Sequence, residues 1–279
     1  MPDEVTRWFP AGDTNGIELD VLWDAVGRIA PTAQFVEEDR ALASGSWLRH
    51  VRHRTRELVV PIHVRAPQAE LPVRIRELAY ALDPLRGDGR MRVTRSDGTS
   101  RDLTCRVLTG LEGIESLGEA ASWEHQTFKA VFRAHDPYWY DTVDTTVTVA
   151  PYGDSYDFNV TVDSDVQDGV WPIWTWTGPM ESFSVMQRDT LEMYAVNTIT
   201  TATGETLSGV LAAGQTCVVD TRPGIKSVVS DTGRANWMPN LAGHTFPLRP
   251  GLNRLSAIVE VQASGMSLTL RYRSRHLTC

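Results

Sequence analysis

Alternation of apolar and polar residues with a period of two restricts the fold of this chain more than any other sequence feature. In ELVVPIHVR (57–65) and TFKAVFRAH (127–135), apolar residues occupy every second position. Successive side chains of a strand point to opposite faces, so such segments form strands that bury one face. Asp97-Gly98, between two further alternating runs, predicts a tight hairpin because both residues tolerate positive φ. A mainly β fold is therefore predicted.

One segment follows a helical period instead. In AELPVRIRELAYALDPL, apolar residues recur at alternating spacings of four and three from Leu71 to Leu85. This spacing predicts an amphipathic helix near 70–83 that covers one face of a sheet. Pro84 ends the helix because proline disfavours the helical conformation in the residue before it.

The sequence pattern changes after Asp141. Short alternating runs then recur at intervals of roughly ten residues, separated by turns rich in Gly, Pro, Asp and Asn, and no further helix is indicated. Two domains are predicted: an N-terminal β domain with the inserted helix over 1–141, and a β-sandwich or jelly roll over 142–279.

Composition and motifs exclude several classes of function. The net charge of −8 disfavours nucleic-acid binding, and no apolar run is long enough to insert into a membrane. The three cysteines form no CxxC pair, and Cys105 alternates with apolar neighbours, which predicts a buried reduced thiol. DSDVQDG (163–169) shares only its first spacing with a calcium loop and lacks the final glutamate. No nucleotide, zinc-protease or nucleophile-elbow motif is present. We therefore expect no enzyme activity, cofactor or metal.

The segment HDPYWYD (135–141) combines carboxylates, a histidine and aromatics. His135 and Asp136 are adjacent in a strand, so their side chains point apart and form a poor acid–base pair. A structural joint between the domains is the favoured interpretation, and a ligand site or catalysis are the alternatives. The joint comprises Asp136, Pro137, Tyr138, Trp139 and Tyr140, with an aromatic ring packed between or beneath the domains.

Two other clusters have competing interpretations. In WPIWTWTG, Trp174 and Trp176 alternate with smaller residues, which favours packing in a sandwich core. Contact of Trp171, Trp174 and Trp176 with a glycan is the weaker alternative. RHVRHRTR (49–56) is rich in arginine but has an acidic context, which favours a solvated strand face or a subunit contact over binding to DNA.

The order of several motifs resembles a known family. The chain contains MRVTRSDGTSRDLTCRVL, then FKAVFRAHDPYWYD, WPIWTWTGP, AAGQTCVVDTRPG and FPLRPGLNRL. This order resembles the distal tail (Dit-like) or minor tail proteins of long non-contractile-tailed bacteriophages, the siphoviruses. The resemblance implies a first "belt" domain that forms a ring, usually hexameric, and a second, galectin-like sandwich.

The resemblance also implies a function without catalysis. The ring would join the tail tube to the tip or baseplate, pass the tape measure and DNA, and act as a docking platform for receptor-binding proteins. The protein would be made in the host cytoplasm and built into the virion. Strands such as 57–65 and 127–135 could pair across subunits, and a closed ring would hide those edges. The alternatives are a carbohydrate-binding adhesin and a glycan hydrolase; subunit number, host and receptor stay open.

Overall fold

The structure is a computed structural model that describes residues 4–22, 25–40, 44–113, 124–150, 155–232, 236–260 and 265–279. It is mainly β, as predicted, with a single α-helix in the described ranges. The chain divides into two compact units, Met1–Thr142 with His276–Cys279 and Val143–Arg275. The predicted second domain ran to residue 279, whereas the last four residues belong to the first unit.

The first unit contains a closed barrel. The described strands of this unit are β1 (Val5–Phe9), β2 (Ile17–Val21), β3 (Ala33–Asp39), β4 (Ser46–His53), β5 (Arg56–Arg65), β6 (Gly89–Thr94), β7 (Ser100–Gly113), β8 (His125–Ala134) and β9 (Trp139–Asp141). Six of them pair antiparallel in the order β7-β6-β1-β2-β5-β8, and β7 also pairs with β8, which closes the sheet on itself. Alternate side chains therefore face a common interior.

Strands β5 and β8 show why the barrel closes. Leu58 lies opposite Phe132 and Val60 lies opposite Ala130, and these side chains are fully buried. Both strands have a second partner within the chain, β2 for β5 and β7 for β8. These two strands are therefore not available to pair across subunits, because the closed barrel occupies both of their edges.

The helix α1 (Leu71–Ala81) lies where the sequence predicts it. Its buried residues Leu78 and Ala81 share the barrel core, and the indole of Trp8 donates a hydrogen bond to the Ala81 carbonyl at 2.8 Å. A short 3-10 turn (Pro84–Arg86) follows, and Asp83 caps it by accepting a bond from the Leu85 amide. Leu85 is exposed because the helix ends before reaching it.

The predicted Asp97-Gly98 hairpin joins β6 to β7. Only Gly98 has positive φ, at +83°, while the Asp97 carboxylate accepts a hydrogen bond from the Thr99 amide at 2.8 Å. The turn thus uses glycine for its backbone conformation and aspartate for its hydrogen bond.

The second unit is a β-sandwich. Its strands are β10 (Thr145–Val149), β11 (Ser155–Val162), β12 (Ile173–Thr177), β13 (Ser182–Gln187), β14 (Met193–Val196), β15 (Ile199–Thr200), β16 (Thr206–Leu207), β17 (Thr216–Asp220), β18 (Ser227–Ser230), β19 (Leu241–Gly243), β20 (Gly251–Glu260) and β21 (Ser267–Tyr272). One sheet has the order β10-β21-β12-β17-β18 and the other β11-β20-β13-β14-β19. A single apolar core draws residues from both sheets.

The chain returns to the first unit at its end. Strand β22 (Arg275–His276) lies beside β9, and the imidazole of His276 bonds to the Asp141 carboxylate at 2.9 Å. Arg101 donates a hydrogen bond to the Thr278 carbonyl at 2.7 Å. The chain therefore leaves and re-enters the first unit through neighbouring strands. None of the helices in the described part of the chain has the length and apolar content needed to cross a membrane.

Candidate assembly surface

Strands β3 and β4 form a hairpin that takes no part in the barrel. We call residues 33–53 the arm. The described side chains of the arm are mostly exposed, including large apolar ones: Phe35, Val36, Trp47, Leu48 and Val51. An isolated two-stranded hairpin is marginally stable in water, and clustered exposed apolar residues mark an interaction surface. The arm thus has the composition of a surface that is covered in an assembly.

The two strands of the arm carry opposite charge. Strand β3 ends in Glu37, Glu38 and Asp39, whereas β4 contains Arg49 and Arg52 together with two histidines. Within the described ranges the outer edge of neither strand is paired. Arg49 forms an ion pair with Glu38, but both side chains are about 60% exposed, so this bond adds little stability. The arm therefore presents an acidic free edge and a basic free edge.

The predicted joint anchors the base of the arm. Tyr138 and Trp139 are buried, and Trp139 belongs to the barrel core of the first unit. The Tyr138 hydroxyl bonds to Nδ1 of His53, the last residue of β4, at 2.8 Å. Tyr140 donates a hydrogen bond to the Asp136 carboxylate. The joint thus packs inside the first unit and connects the end of β8 to the arm.

Arg56, the last residue of RHVRHRTR, completes this anchor, whereas that segment was expected to be a solvated strand face or a subunit contact. The side chain is 2% exposed and donates to the carbonyls of Pro137 (2.6 Å), Leu277 (2.7 Å), Gly27 (3.1 Å) and Arg28 (3.2 Å). Burial lowers the pKa of Arg56 to about 10, so it stays charged at neutral pH. A signal existed in the sequence, because Arg56 lies in the same alternating register as buried Leu58.

The tryptophans of the second unit differ in exposure. Trp174 and Trp176 have no exposed surface and lie in the sandwich core, where the Trp176 indole donates to the Tyr194 hydroxyl at 3.3 Å. Burial raises the pKa of Tyr194 well above its usual value. Trp171 is half-buried, and the Lys226 ammonium lies 5.7 Å from its ring centre. Of the three, Trp171 alone has surface that a glycan can reach in the folded unit.

The second unit also contains a cavity of about 230 Å³. It is lined by Val219, Asp220, Lys226, Ser227, Met238, Leu241, Gly243, His244 and Thr245. No sequence motif indicated it, because its residues come from separate strands and loops. Across the described residues, no group of three or more His, Cys, Asp or Glu side chains is arranged to hold a metal ion, and this includes the described acidic loop 163–169.

Comparisons with known proteins identify the fold. No protein-family model and no curated protein sequence matches the chain. The crystal structure of SPP1 Dit (gp 19.1), described as a paradigm of the hub adsorption apparatus in phages that infect Gram-positive bacteria, superposes with a TM-score of 0.65. That match has 16% identity and covers 98% of this chain and 99% of that one. A structure of the phage p2 baseplate in its activated conformation gives a TM-score of 0.44 at 8% identity, covering 96% and 98%.

The chain therefore has a Dit-like fold. The resemblance drawn from the order of sequence motifs is confirmed at the level of the fold.

Proposed function

We propose that this protein is a structural component of a bacteriophage tail tip, where its first unit forms a ring hub with other copies of itself. The observation that carries the proposal is the similarity to SPP1 Dit over 98% of the chain, since that protein is described as a hub of the adsorption apparatus. Fold alone does not fix function, so the proposal also needs a surface suited to assembly.

The arm supplies such a surface. In our proposal the acidic edge of β3 in one copy lies beside the basic edge of β4 in the next copy. A contact between two different surfaces of the same chain is heterologous, and such contacts generate a ring when the rotation closes. The contact would cover Phe35, Trp47 and Val51, which are all at least 45% exposed in the single chain. It would also pair the outer edges of β3 and β4, which have no partner strand among the described residues of the single chain.

The finer features of the proposal follow the family resemblance. The ring contains six copies, and the second unit is a galectin-like sandwich that serves as a docking platform. The partners are the tail tube, the tape measure and the tail-tip or receptor-binding proteins, and DNA passes without sequence-specific binding. The protein is made in the host cytoplasm, functions in the virion and has no enzymatic role.

Mass photometry of the purified protein tests the ring. Six chains of 31.0 kDa give a particle of about 186 kDa. The double variant Trp47→Ser, Leu48→Ser should dissociate it, because both residues lie on the arm. Leu252→Ser is the matched control, since Leu252 is exposed to a similar degree (53% against 58% for Leu48) but lies in the second unit.

Two results would contradict the proposal. One is a wild-type protein that stays monomeric at high concentration while antibodies fail to label phage tails. The other is a ring that the arm variant leaves intact, which would reject the arm as the contact but keep the ring. A negative zymogram against host cell wall is expected, and lytic activity would overturn the non-enzymatic role.

The alternative function is an adhesin that binds carbohydrate through the second unit. Burial of Trp174 and Trp176 removes two of the three tryptophans on which that prediction was based. Exposure of Trp171 beside Lys226 is the observation that keeps it open.

A further inference from the structure

We propose that the cavity of the second unit binds a single anionic sugar unit, a pyranose that carries a carboxylate or a phosphate. The inference is independent of ring assembly, because every residue of the cavity belongs to the second unit of one chain.

The size of the cavity favours a small ligand. It lies beside β17 and β18 of one sheet and the segment 238–245, which contains β19 of the other sheet. Its volume of about 230 Å³ is below the ~300 Å³ at which pockets for drug-sized ligands begin. At about 30 Å³ per water molecule this space corresponds to roughly eight waters, which suits one sugar ring.

The charge of the lining favours an anion. Asp220 is the carboxylate in the lining, and Arg222 neutralises it through hydrogen bonds of 2.6 to 3.2 Å. Burial acts to raise the pKa of Asp220, but the bonds from Arg222 outweigh it and lower the pKa. Lys226 makes no ion pair with a carboxylate of the described residues. A positive charge with no carboxylate partner in the described part of the chain therefore remains at the cavity, although the net charge of the chain is −8.

The neutral groups favour a sugar over a simple inorganic anion. The apolar side chains of Met238 and Leu241, which keep accessible surface, provide a contact for the C–H face of a pyranose. The half-buried Ser227 adds a hydroxyl group that can hydrogen-bond to a sugar oxygen. The Thr245 hydroxyl has almost no accessible surface, so it takes no part in the recognition.

Trp171 extends the site beyond the cavity. Its ring lies next to the Lys226 ammonium, which lines the cavity. Aromatic faces stack on apolar faces, so the exposed part of this ring can contact the next unit of a longer saccharide. Longer anionic saccharides should therefore bind more tightly than single units.

The lysine content of the chain provides a direct test. Lys129 and Lys226 are the only lysines, one in each unit. Reductive methylation of the full chain with ¹³C-formaldehyde gives separate NMR signals for these two side chains and the N-terminus, and it retains their charge. Lys129→Arg and Lys226→Arg assign the signals. Titration uses glucuronate, glucose 6-phosphate, glucose, inorganic phosphate and N-acetyl-aspartate.

We expect both anionic sugars to shift the Lys226 signal in a saturable manner and to leave Lys129 unchanged. Glucose, phosphate and N-acetyl-aspartate should bind at least about tenfold more weakly, because each lacks part of the recognised chemistry. In tryptophan fluorescence titrations, Lys226→Met and Ser227→Ala should weaken binding by about tenfold, whereas Lys129→Met should not. Unchanged thermal melting would show that the variants are folded.

Three outcomes would overturn the inference. The first is no shift of the Lys226 signal at about 20 mM of either anionic sugar, because a site with a dissociation constant of about 1 mM would be nearly saturated at that concentration. The second is an equal response to inorganic phosphate, which would indicate a simple anion site. The third is an equal or stronger response to N-acetyl-aspartate, which would indicate an acidic side chain of a partner protein. None of these outcomes bears on ring assembly.

Discussion

Strands β4 and β5 follow each other in the sequence yet have opposite surroundings. Both contain arginines and large apolar residues, and only Arg54 and Thr55 separate them. Leu58 of β5 has no exposed surface, whereas Leu48 of β4 is 58% exposed. The difference comes from strand pairing, because β5 has partners on both sides in the barrel, whereas among the described strands β4 pairs with β3 alone. Alternation thus determines that a segment is a strand, and pairing determines what the strand buries.

The largest expected effect lies in the barrel core. Trp139→Ala should lower the free energy of unfolding by about 3–5 kcal/mol, because it removes a fully buried ring from the first unit. In the dissociated single chain, Trp47→Ala on the arm should change the free energy of unfolding by less than about 0.5 kcal/mol, because Trp47 is 55% exposed there. Urea denaturation of both variants measures the difference. If the two substitutions lower the free energy of unfolding by similar amounts, Trp139 and Trp47 are not respectively buried and exposed as described.

The next effect compares a buried and an exposed arginine. Arg56→Met should cost about 3 kcal/mol, because the carbonyls of Pro137 and Leu277 lose a charged donor. Arg49→Met should cost less than about 1 kcal/mol, since its ion pair is exposed. Thermal unfolding at two salt concentrations is the measurement.

The carbonyl acceptors of Arg56 are neutral and the Arg56 side chain is buried, so the cost of Arg56→Met should depend on salt less than that of Arg49→Met. If Arg56→Met is as mild as Arg49→Met, Arg56 does not hold the joint.

A smaller effect is expected for the charges of the arm, and it concerns assembly. Arg49→Glu takes the net charge of β4 from +2 to 0, and Glu38→Arg takes that of β3 from −3 to −1, so each variant alone should weaken ring formation by about tenfold. Mixing the two variants in equal amounts should restore rings, because the arginine introduced at position 38 of one variant then faces the glutamate introduced at position 49 of the other between copies.

The mixing experiment separates contacts between copies from the ion pair within one arm. Mass photometry of the two variants, their mixture and the double variant measures it. If the mixture assembles no better than either variant alone, the proposed edge-to-edge contact is wrong.

The smallest effect compares the buried thiols of the two units. Burial raises the pKa of Cys217 to about 12 and that of Cys105 still higher, and the thiolate is the reactive form. A thiol reagent at pH 8 should therefore label neither cysteine in the folded protein, and raising the pH to 9 should not change this. Partly exposed Cys279 should react. Rapid labelling of Cys105 while near-UV circular dichroism stays native would contradict the packing described.

Much of the fold follows from local patterns. The strands around Leu58 and Phe132, the helix from Leu71 and the turn at Gly98 were predicted because periodicity and turn chemistry act over a few residues. The buried state of Cys105 was predicted for the same reason. The candidate sites were predicted less well. The cavity lining comes from separate loops, and the unpaired edges of the arm are visible only once the barrel partners are known.

The sequence by itself determined the class of the fold, the helix and the change of pattern after Asp141, because short-range geometry controls each of them. Tertiary structure alone decided that β5 closes a barrel while β4 stands apart, that Arg56 binds the chain end near Leu277, and that Lys226 meets Thr245 at a cavity. These features depend on pairing and packing between residues that are far apart in the chain. A local pattern extends over a few residues and does not specify which distant residue becomes the partner.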